Sequence, residues 1–347
     1  MTLNQESVHI ESPKVICFGE ALLDRLGPLG GKNALDPSTE DCLGGAPANV
    51  VCALARLGVE VAFVGRLGED EIGNNFRELM IARGVNIACL QNDSHLPTRI
   101  VKVDRDEYGE RSFGGFVGES FNKFSDAEIS LDELELHWKS IAKNAKWLVT
   151  GTIPLAYNSS SEALMWVIRK ALKEDIQIGI DVNWRPTFWD SHLRPDSGPN
   201  DYAREKIQLI LEKASLIKLS KEEAIWFFNT AEPLQISRSL SQRPNIVVTD
   251  GAFPIRWQIN NLCGTSEPHK SPLIVDTTGA GDAFMAGLIS QITKNPQNLF
   301  SYQEIQKAIV FAAGCGAIVC SGKGAIGPQP TYEQVIKFIS SDLGGNS

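Results

Sequence analysis

Short β-prone runs alternate with helix-compatible segments along most of this chain, and that rhythm restricts the fold more than any other feature. Apolar, β-like runs occupy 15–19, 61–64, 147–150, 176–181, 216–219 and 246–249, and helix-like segments fall between them at 46–57, 72–83, 162–173 and 203–213. Strand and helix taking turns in this way predict an α/β fold with a largely parallel sheet covered by helices on both faces. Ligands then belong at the carboxyl ends of the strands. A chain of 347 residues with 43% hydrophobic content can bury a full core, as one large domain or two smaller ones.

Two stretches break the rhythm. Residues 22–43 are rich in Gly and Pro, and 98–117 alternate in residue type around Asp106-Glu107-Tyr108-Gly109, which predicts a hairpin. Residues 186–200 contain three prolines and several turn formers and read as a surface loop. The chain divides into a polar tail at 1–13, a domain at 14–340 and a short tail at 341–347, with no internal repeat.

A formal net charge of -9 argues against a nucleic-acid or anionic-membrane surface. No apolar run approaches the length of a membrane helix, and 1–14 lack the apolar stretch of a signal peptide, so a cytoplasmic protein is expected. Seven scattered cysteines, mostly in apolar surroundings, read as buried thiols. The five histidines show no metal-ligand spacing, which disfavours a transition-metal enzyme.

The chemistry concentrates at Asp276-Thr277-Thr278-Gly279-Ala280-Gly281-Asp282-Ala283-Phe284. A β-prone run at 272–275 precedes it and a helix-compatible segment at 283–293 follows, so strand, glycine loop and helix is the local expectation. Gly279 and Gly281 let the backbone turn so that successive N–H groups face one anion, and the helix N-terminus adds unpaired donors and partial positive charge. A carboxylate at a helix start is often only a cap. Beside a bound phosphate, however, Asp282 would cost repulsion, which makes sense if it accepts the proton of an attacking alcohol.

On this nonapeptide the chain resembles the PfkB, or ribokinase-like, carbohydrate kinases, and three further segments extend the resemblance over nearly its whole length. Residues 17–24 (Cys-Phe-Gly-Glu-Ala-Leu-Leu-Asp) resemble the first strand of the fructokinase branch, and Gly44-Gly45-Ala46-Pro47-Ala48-Asn49 its sugar-binding glycine motif. Residues 65–73 continue the signature. The resemblance implies a ribokinase-like three-layer fold in which 22–43 and 98–117 form a small β-sheet lid over the sugar. It implies Asp24, Gly44, Gly45 and Asn49 as sugar contacts, although Gly44-Gly45 alone would read as a turn and Asn49 as a helix cap. Asp181-Val182-Asn183-Trp184-Arg185-Pro186 resembles the Asp-x-Asn-x-Arg motif of fructokinases and 2-keto-3-deoxygluconate kinases, which adds Asn183 and Arg185.

At the nucleotide end, Lys218, Ser220 and Glu223 lie where the family carries its Asn-x-x-Glu element, with Ser220 in place of Asn. The resemblance gives Glu223 a water-mediated role toward Mg²⁺; a charged first helical turn is the plainer reading. Thr249 and Gly251 resemble a strand end that approaches ATP phosphates, and Ala313, Gly314 and Gly324 an adenine-side helix and loop. Small residues there equally let helices pack closely. Asp276, Thr278 and the Gly324 loop match elements that bind K⁺ in related enzymes.

Three positions depart from the pattern: Pro254 follows Gly251 in place of a glycine, Ala313 stands where many fructokinases have Asn, and Val117 replaces a lid arginine. Losing that arginine removes a fork of donors suited to a carboxylate, so a neutral ketose fits better than a sugar acid. The resemblance therefore implies an ATP-dependent fructokinase, with Asp282 as base and the Gly279, Ala280 and Gly281 amides around the phosphoryl group. A kinase of another sugar, sugar acid or nucleoside stays open, as does a non-catalytic scaffold with the same fold. The lid face could pair two subunits, or its apolar residues could simply cover the site.

Overall fold

The computed structural model describes residues 12–28, 30–107, 111–118, 123–269, 271 and 273–344. In chain order the strands are β1 (Val15–Phe18), β2 (Leu22–Leu26), β3 (Glu40–Gly44), β4 (Val61–Gly68), β5 (Asn86–Asp93), β6 (Ile100–Arg105) and β7 (Arg111–Phe116). They continue with β8 (Trp147–Thr150), β9 (Gln177–Asp181), β10 (Leu216–Ser220), β11 (Asn245–Asp250), β12 (Phe253–Ile259) and β13 (Leu262–Ser266). The helices are α1 (Ala46–Arg56), α2 (Glu71–Ala82), α3 (Leu131–Ala142), α4 (Asn158–Lys173), α5 (Pro186–Trp189) and α6 (Asp201–Leu211). After them come α7 (Lys221–Phe228), α8 (Pro233–Ser239), α9 (Ala280–Lys294), α10 (Tyr302–Val319) and α11 (Tyr332–Gly344).

Nine strands form one sheet in the order β13-β12-β11-β10-β9-β8-β1-β4-β5. Pairing is parallel from β11 through to β5, and only the β11–β12 and β12–β13 pairs at one edge are antiparallel. Neighbouring residues on one strand serve opposite faces. Ile16 and Phe18 join a core with α3, α4 and α6, whereas Val15 and Cys17 join a core with α1, α9 and α10. That two-sided burial is why these strands read as unbroken apolar runs. Gly179 in β9 leaves room for α9: a Cβ there would lie 3.1 Å from Met285 Cε.

The segments that interrupt the alternation build a second, four-stranded sheet in the order β3-β2-β6-β7. Its β6–β7 hairpin is antiparallel, as expected; Tyr108 and Gly109 of its turn lie outside the described residues. Leu22, Val101, Val103, Phe113 and Phe116 of this lid pack with Ile153, Tyr157 and Phe188 of the large domain.

Two expectations are corrected. Residues 273–275 are not a strand: Leu273 and Ile274 are 63% and 70% exposed, and the Val275 amide donates to the Cys320 carbonyl at the end of α10 rather than to a strand. Pro272 lies outside the described residues. β-Prone composition does not by itself make a strand: with Leu273 and Ile274 exposed, the segment gains none of the burial that a pleated surface provides. The 186–200 loop opens with the helical turn α5, where Pro186 supplies a preset φ at the first position and Phe188 is buried under the lid. Among the described residues no disulfide forms; Cys17, Cys52, Cys89 and Cys315 are buried, while Cys263 is exposed. No described helix is long and apolar enough to cross a membrane.

Candidate active site

Helix α9 begins at the glycine loop and places Asp282 in its first turn. Gly279 caps it with φ 78, a left-handed conformation, and a Cβ there would come within 2.4 Å of Ala325 Cβ. Only glycine meets both conditions. Asp282 is buried, and its Oδ2 accepts a hydrogen bond from Asn49 Nδ2 at 2.7 Å. Burial and the neighbouring Asp181 carboxylate push Asp282 up to about 6, against the opposing pull of Asn49, Lys218 and Arg185. A carboxyl group poised there can take a proton near neutral pH.

Strand β9 ends at Asp181, in register with Lys218 in the middle of β10. Their side chains make a buried ion pair, with Lys218 Nζ 2.8 and 3.0 Å from the two Asp181 oxygens. Burial disfavours the ammonium, but Asp181 outweighs it and holds Lys218 above its ordinary value. The same ammonium would lie 3.1 Å from a Cβ on Gly281. Two residues past Asp181, Asn183 takes φ 40, a left-handed turn that Asn tolerates better than most residues.

These groups face a cavity of about 480 Å³, within the ~300–1,000 Å³ usual for small-molecule sites. Thr277, Thr278, Gly279, Gly281 and Asp282 of the glycine loop line it together with Asp24, Gly45, Asn49, Asn183 and Arg185, and Val101, Val103 and Phe113 of the lid complete the wall. Gly44 lies just behind this wall, where its missing side chain makes room for Asp24: a Cβ would sit 2.9 Å from Asp24 Oδ2. Lys218, expected at the nucleotide end, lines the cavity beside Asp181 and Gly281.

The remaining nucleotide-side expectations do not converge on this cavity. Ser220 caps α7, and both Glu223 oxygens accept backbone amides, Oε1 from Trp184 at 2.7 Å and Oε2 from Ser220 at 2.8 Å. The capping reading of Glu223 therefore describes its geometry. Thr249 pairs with Ser220 in the sheet, and Gly251, with φ 57, turns the chain from β11 into β12. A Cβ on Gly314 would meet Ile339 and Val335 of α11 at 3.2 Å, so that glycine serves helix packing, with Ala313 buried beside it. Asp276 ties two loops together, its Oδ1 accepting from the Thr278 amide and its Oδ2 from the Gly324 amide. Among the described residues no group of three or more His, Cys, Asp or Glu could hold a metal ion.

Three elements of the site escaped the sequence reading. Asp181 was visible only as part of a motif, and its pairing with Lys218 requires the sheet. Glu20 lines the cavity, buried, with Oε1 accepting from the Ala46 amide, and burial pushes it up to about 8. Arg99 lies beneath the lid, outside the cavity lining. Its guanidinium is fully buried, pairs bidentately with Asp126 and lies 5.0 Å from the ring centroid of Phe116, next to Val117.

Comparison with known proteins agrees with this geometry. The profile of the pfkB family carbohydrate kinase matches residues 12–332. The chain is 34% identical over 330 residues to an Arabidopsis thaliana protein named "Probable fructokinase-6, chloroplastic", covering 94% of this chain and 82% of that one. Its structure resembles a Xylella fastidiosa fructokinase with bound ATP, with a TM-score of 0.80 and 25% identity over 95% of this chain and 99% of the other. A Vibrio cholerae fructokinase bound to fructose, ADP and calcium ion superposes with a TM-score of 0.77 at 27% identity, covering 94% and 98% of the two chains.

Proposed function

The chain belongs to the pfkB family of carbohydrate kinases, and from that premise we propose that it is an ATP-dependent fructokinase that phosphorylates the 6-hydroxyl of fructose. The observation that carries this reading is the buried Asp282, held by Asn49 at the mouth of an anion loop and facing hydroxyl-binding residues across one cavity. Asp24 and Asn183 offer a carboxylate and an amide to sugar hydroxyls. Asp282 takes the proton of the attacking hydroxyl as the sugar oxygen bonds to the γ-phosphorus. The amides from Gly279 to Gly281 at the start of α9 face the developing negative charge. Val101, Val103 and Phe113 exclude water from that step.

A neutral ketose suits the lining better than a sugar acid. Arg185 is the single arginine among the described residues that line the cavity, and Lys218 is committed to Asp181. The donor set bears on the cations as well. Mg²⁺ would arrive bound to the ATP phosphates, where it offsets their charge, and Glu223, whose two oxygens each accept one amide and keep further lone pairs, would act on it through water. Asp276, Thr278 and the Gly324 loop are the proposed K⁺ site. A lid-mediated homodimer and a cytoplasmic location complete the proposal. Plastid targeting of a tagged protein, the location in the Arabidopsis relative's name, would reject the latter.

The test is ADP release from MgATP with fructose, other hexoses, sugar acids and nucleosides, in KCl and in choline chloride. Fructose should give the highest kcat/KM, and KCl should raise it. Preference for a sugar acid or nucleoside would reject the fructokinase reading, and no acceptor-dependent release from folded protein would reject the kinase.

A further inference from the structure

The buried Lys218 is not explained by packing alone. An aliphatic residue could fill the same space between β9 and β10 without the desolvation cost of an ammonium. Its partner Asp181 neutralises the charge, yet the pair is not enclosed by the core. Asp181 ends β9, Lys218 is its register partner in the middle of β10, and both line the cavity. Lys218 Nζ faces the bare backbone of Gly281, 3.1 Å from where a side chain would begin. Gly281 is therefore constrained from below as well as by its anion-loop geometry.

Resting on the kinase reading, we propose that Lys218 is a catalytic residue, its ammonium contacting the phosphoryl group in transfer from beneath the Gly281 loop, and that Asp181 is the residue that positions it. In that step the bond between the γ-phosphorus and the bridging oxygen breaks and its electron pair leaves with ADP. The sugar oxygen bonds to phosphorus, and its proton passes to Asp282. Negative charge spreads over the oxygens nearest Gly281, where the ammonium lies ready before reaction. A fixed cation there needs no reorganisation, and the Asp181 carboxylate prevents it from turning away.

The same arrangement makes opposite demands on the base. The charged groups that act on Asp282 are Asp181, which raises it, and Lys218 and Arg185, which lower it; Glu20 across the cavity is buried and raised itself. Removing either member of the pair should therefore move the titration of Asp282 in opposite directions, an effect that lost packing would not produce.

The experiment compares Lys218→Met, Lys218→Arg and Asp181→Asn with wild type in kcat, KM and the acid limb of kcat, with thermal melts to establish folding. Lys218→Met should lower kcat about 10²–10³-fold while leaving KM for fructose within about threefold, and Lys218→Arg should recover part of the loss. The acid limb should move up in Lys218→Met and down in Asp181→Asn. A folded Lys218→Met that keeps kcat within about threefold of wild type overturns the proposal, as does an equal loss in kcat with the limb unmoved in both variants. If Lys218→Met does not fold, the Lys218→Met/Asp181→Leu double variant replaces it, and near-normal kcat there likewise overturns the proposal. If wild type phosphorylates no acceptor, the kinase reading fails first. Carbon-13 NMR titration of Asp282 in the free protein then decides: opposite shifts in the two single variants retain the charge clamp, and coincident titrations reject it.

Discussion

Asn49 and Asp282 stand 233 positions apart in the chain and meet through one hydrogen bond of 2.7 Å. Asn49 comes from the first helix, which follows the glycine turn of the sugar side; Asp282 comes from α9 at the phosphate side. The bond fixes one oxygen of the carboxylate and leaves the other to meet the substrate. Gln329 supports it from behind, donating from Nε2 to the Asn49 carbonyl while its Oε1 accepts from Arg83.

Asp282→Asn keeps the size of the side chain and removes its basicity. Turnover should fall about 10²–10⁴-fold, the usual contribution of a positioned base, while KM for fructose and ATP changes little. Steady-state kinetics on the folded variant measure this, and near-normal kcat would remove Asp282 from the role of base.

The acid limb of kcat should report the same group. Asp282 is held at about 6, above the ordinary 3.8, by burial and by Asp181. It is therefore protonated and inactive as a base below that pH, so kcat should drop as pH falls through about 6. A pH–rate profile under saturating substrates checks this; a flat profile down to pH near 4 would place the base elsewhere.

Gly279→Ala introduces two faults at one position, a Cβ in a left-handed conformation at φ 78 and an overlap with Ala325. The variant should lose about 1–3 kcal/mol of stability and most of its turnover, because the amides of the anion loop move together. Denaturant melts and kcat, read side by side, test both effects.

Arg99→Met should destabilise strongly, by about 3–5 kcal/mol, because it leaves Asp126 charged and unpaired in the core. Arg99→Met/Asp126→Leu removes both charges and should recover much of that loss. Chemical denaturation of the two variants checks the ordering, and equal destabilisation would show that packing against Phe116, Phe124, Tyr157 and Phe188 outweighs the ion pair.

Glu20 gives the fold a pH dependence of unusual sign. Its folded value of about 8 lies above the ordinary 4.5, so the folded state holds the proton more tightly than the unfolded chain. The stability it contributes is full below about 4.5 and is lost as pH rises through about 8. Glu20→Gln should therefore gain on wild type between pH 5 and pH 8.5, by an amount on the order of a few kcal/mol, as followed by urea melts across that range.

Legibility in the sequence followed the range of the interactions. The run at 147–150 coincides with β8 because a strand buried on both faces is apolar throughout. The Asp282 loop was also readable, since its glycines and acid are adjacent. Residues 273–275 misled because β propensity says nothing about whether a run will be buried, and Leu273 and Ile274 are exposed. Arg99 and Asp126 could not be paired in advance, as each looks like a surface charge until the lid folds back onto the 3-10 turn at Ser125–Ala127. Glu223 posed a different difficulty: the same acid suits a helix cap and a metal shell, and the sequence could not show that its two oxygens accept the Trp184 and Ser220 amides.

The strand order of the large sheet carries a consequence for how this chain is made. From β8 onward, each strand lies beside the one synthesised before it, through β9, β10, β11 and β12 to β13. A chain emerging from the ribosome can extend the sheet at one growing edge, each parallel strand joining after the helical crossover that precedes it and the last two through tight turns. Asp24 and Asn49 are placed early, whereas α9 is made after the last strand. The cavity wall thus accumulates as the sheet grows, from Asp24 and Asn49 through Asn183 and Arg185, and Asp282 joins it only when the sheet is complete.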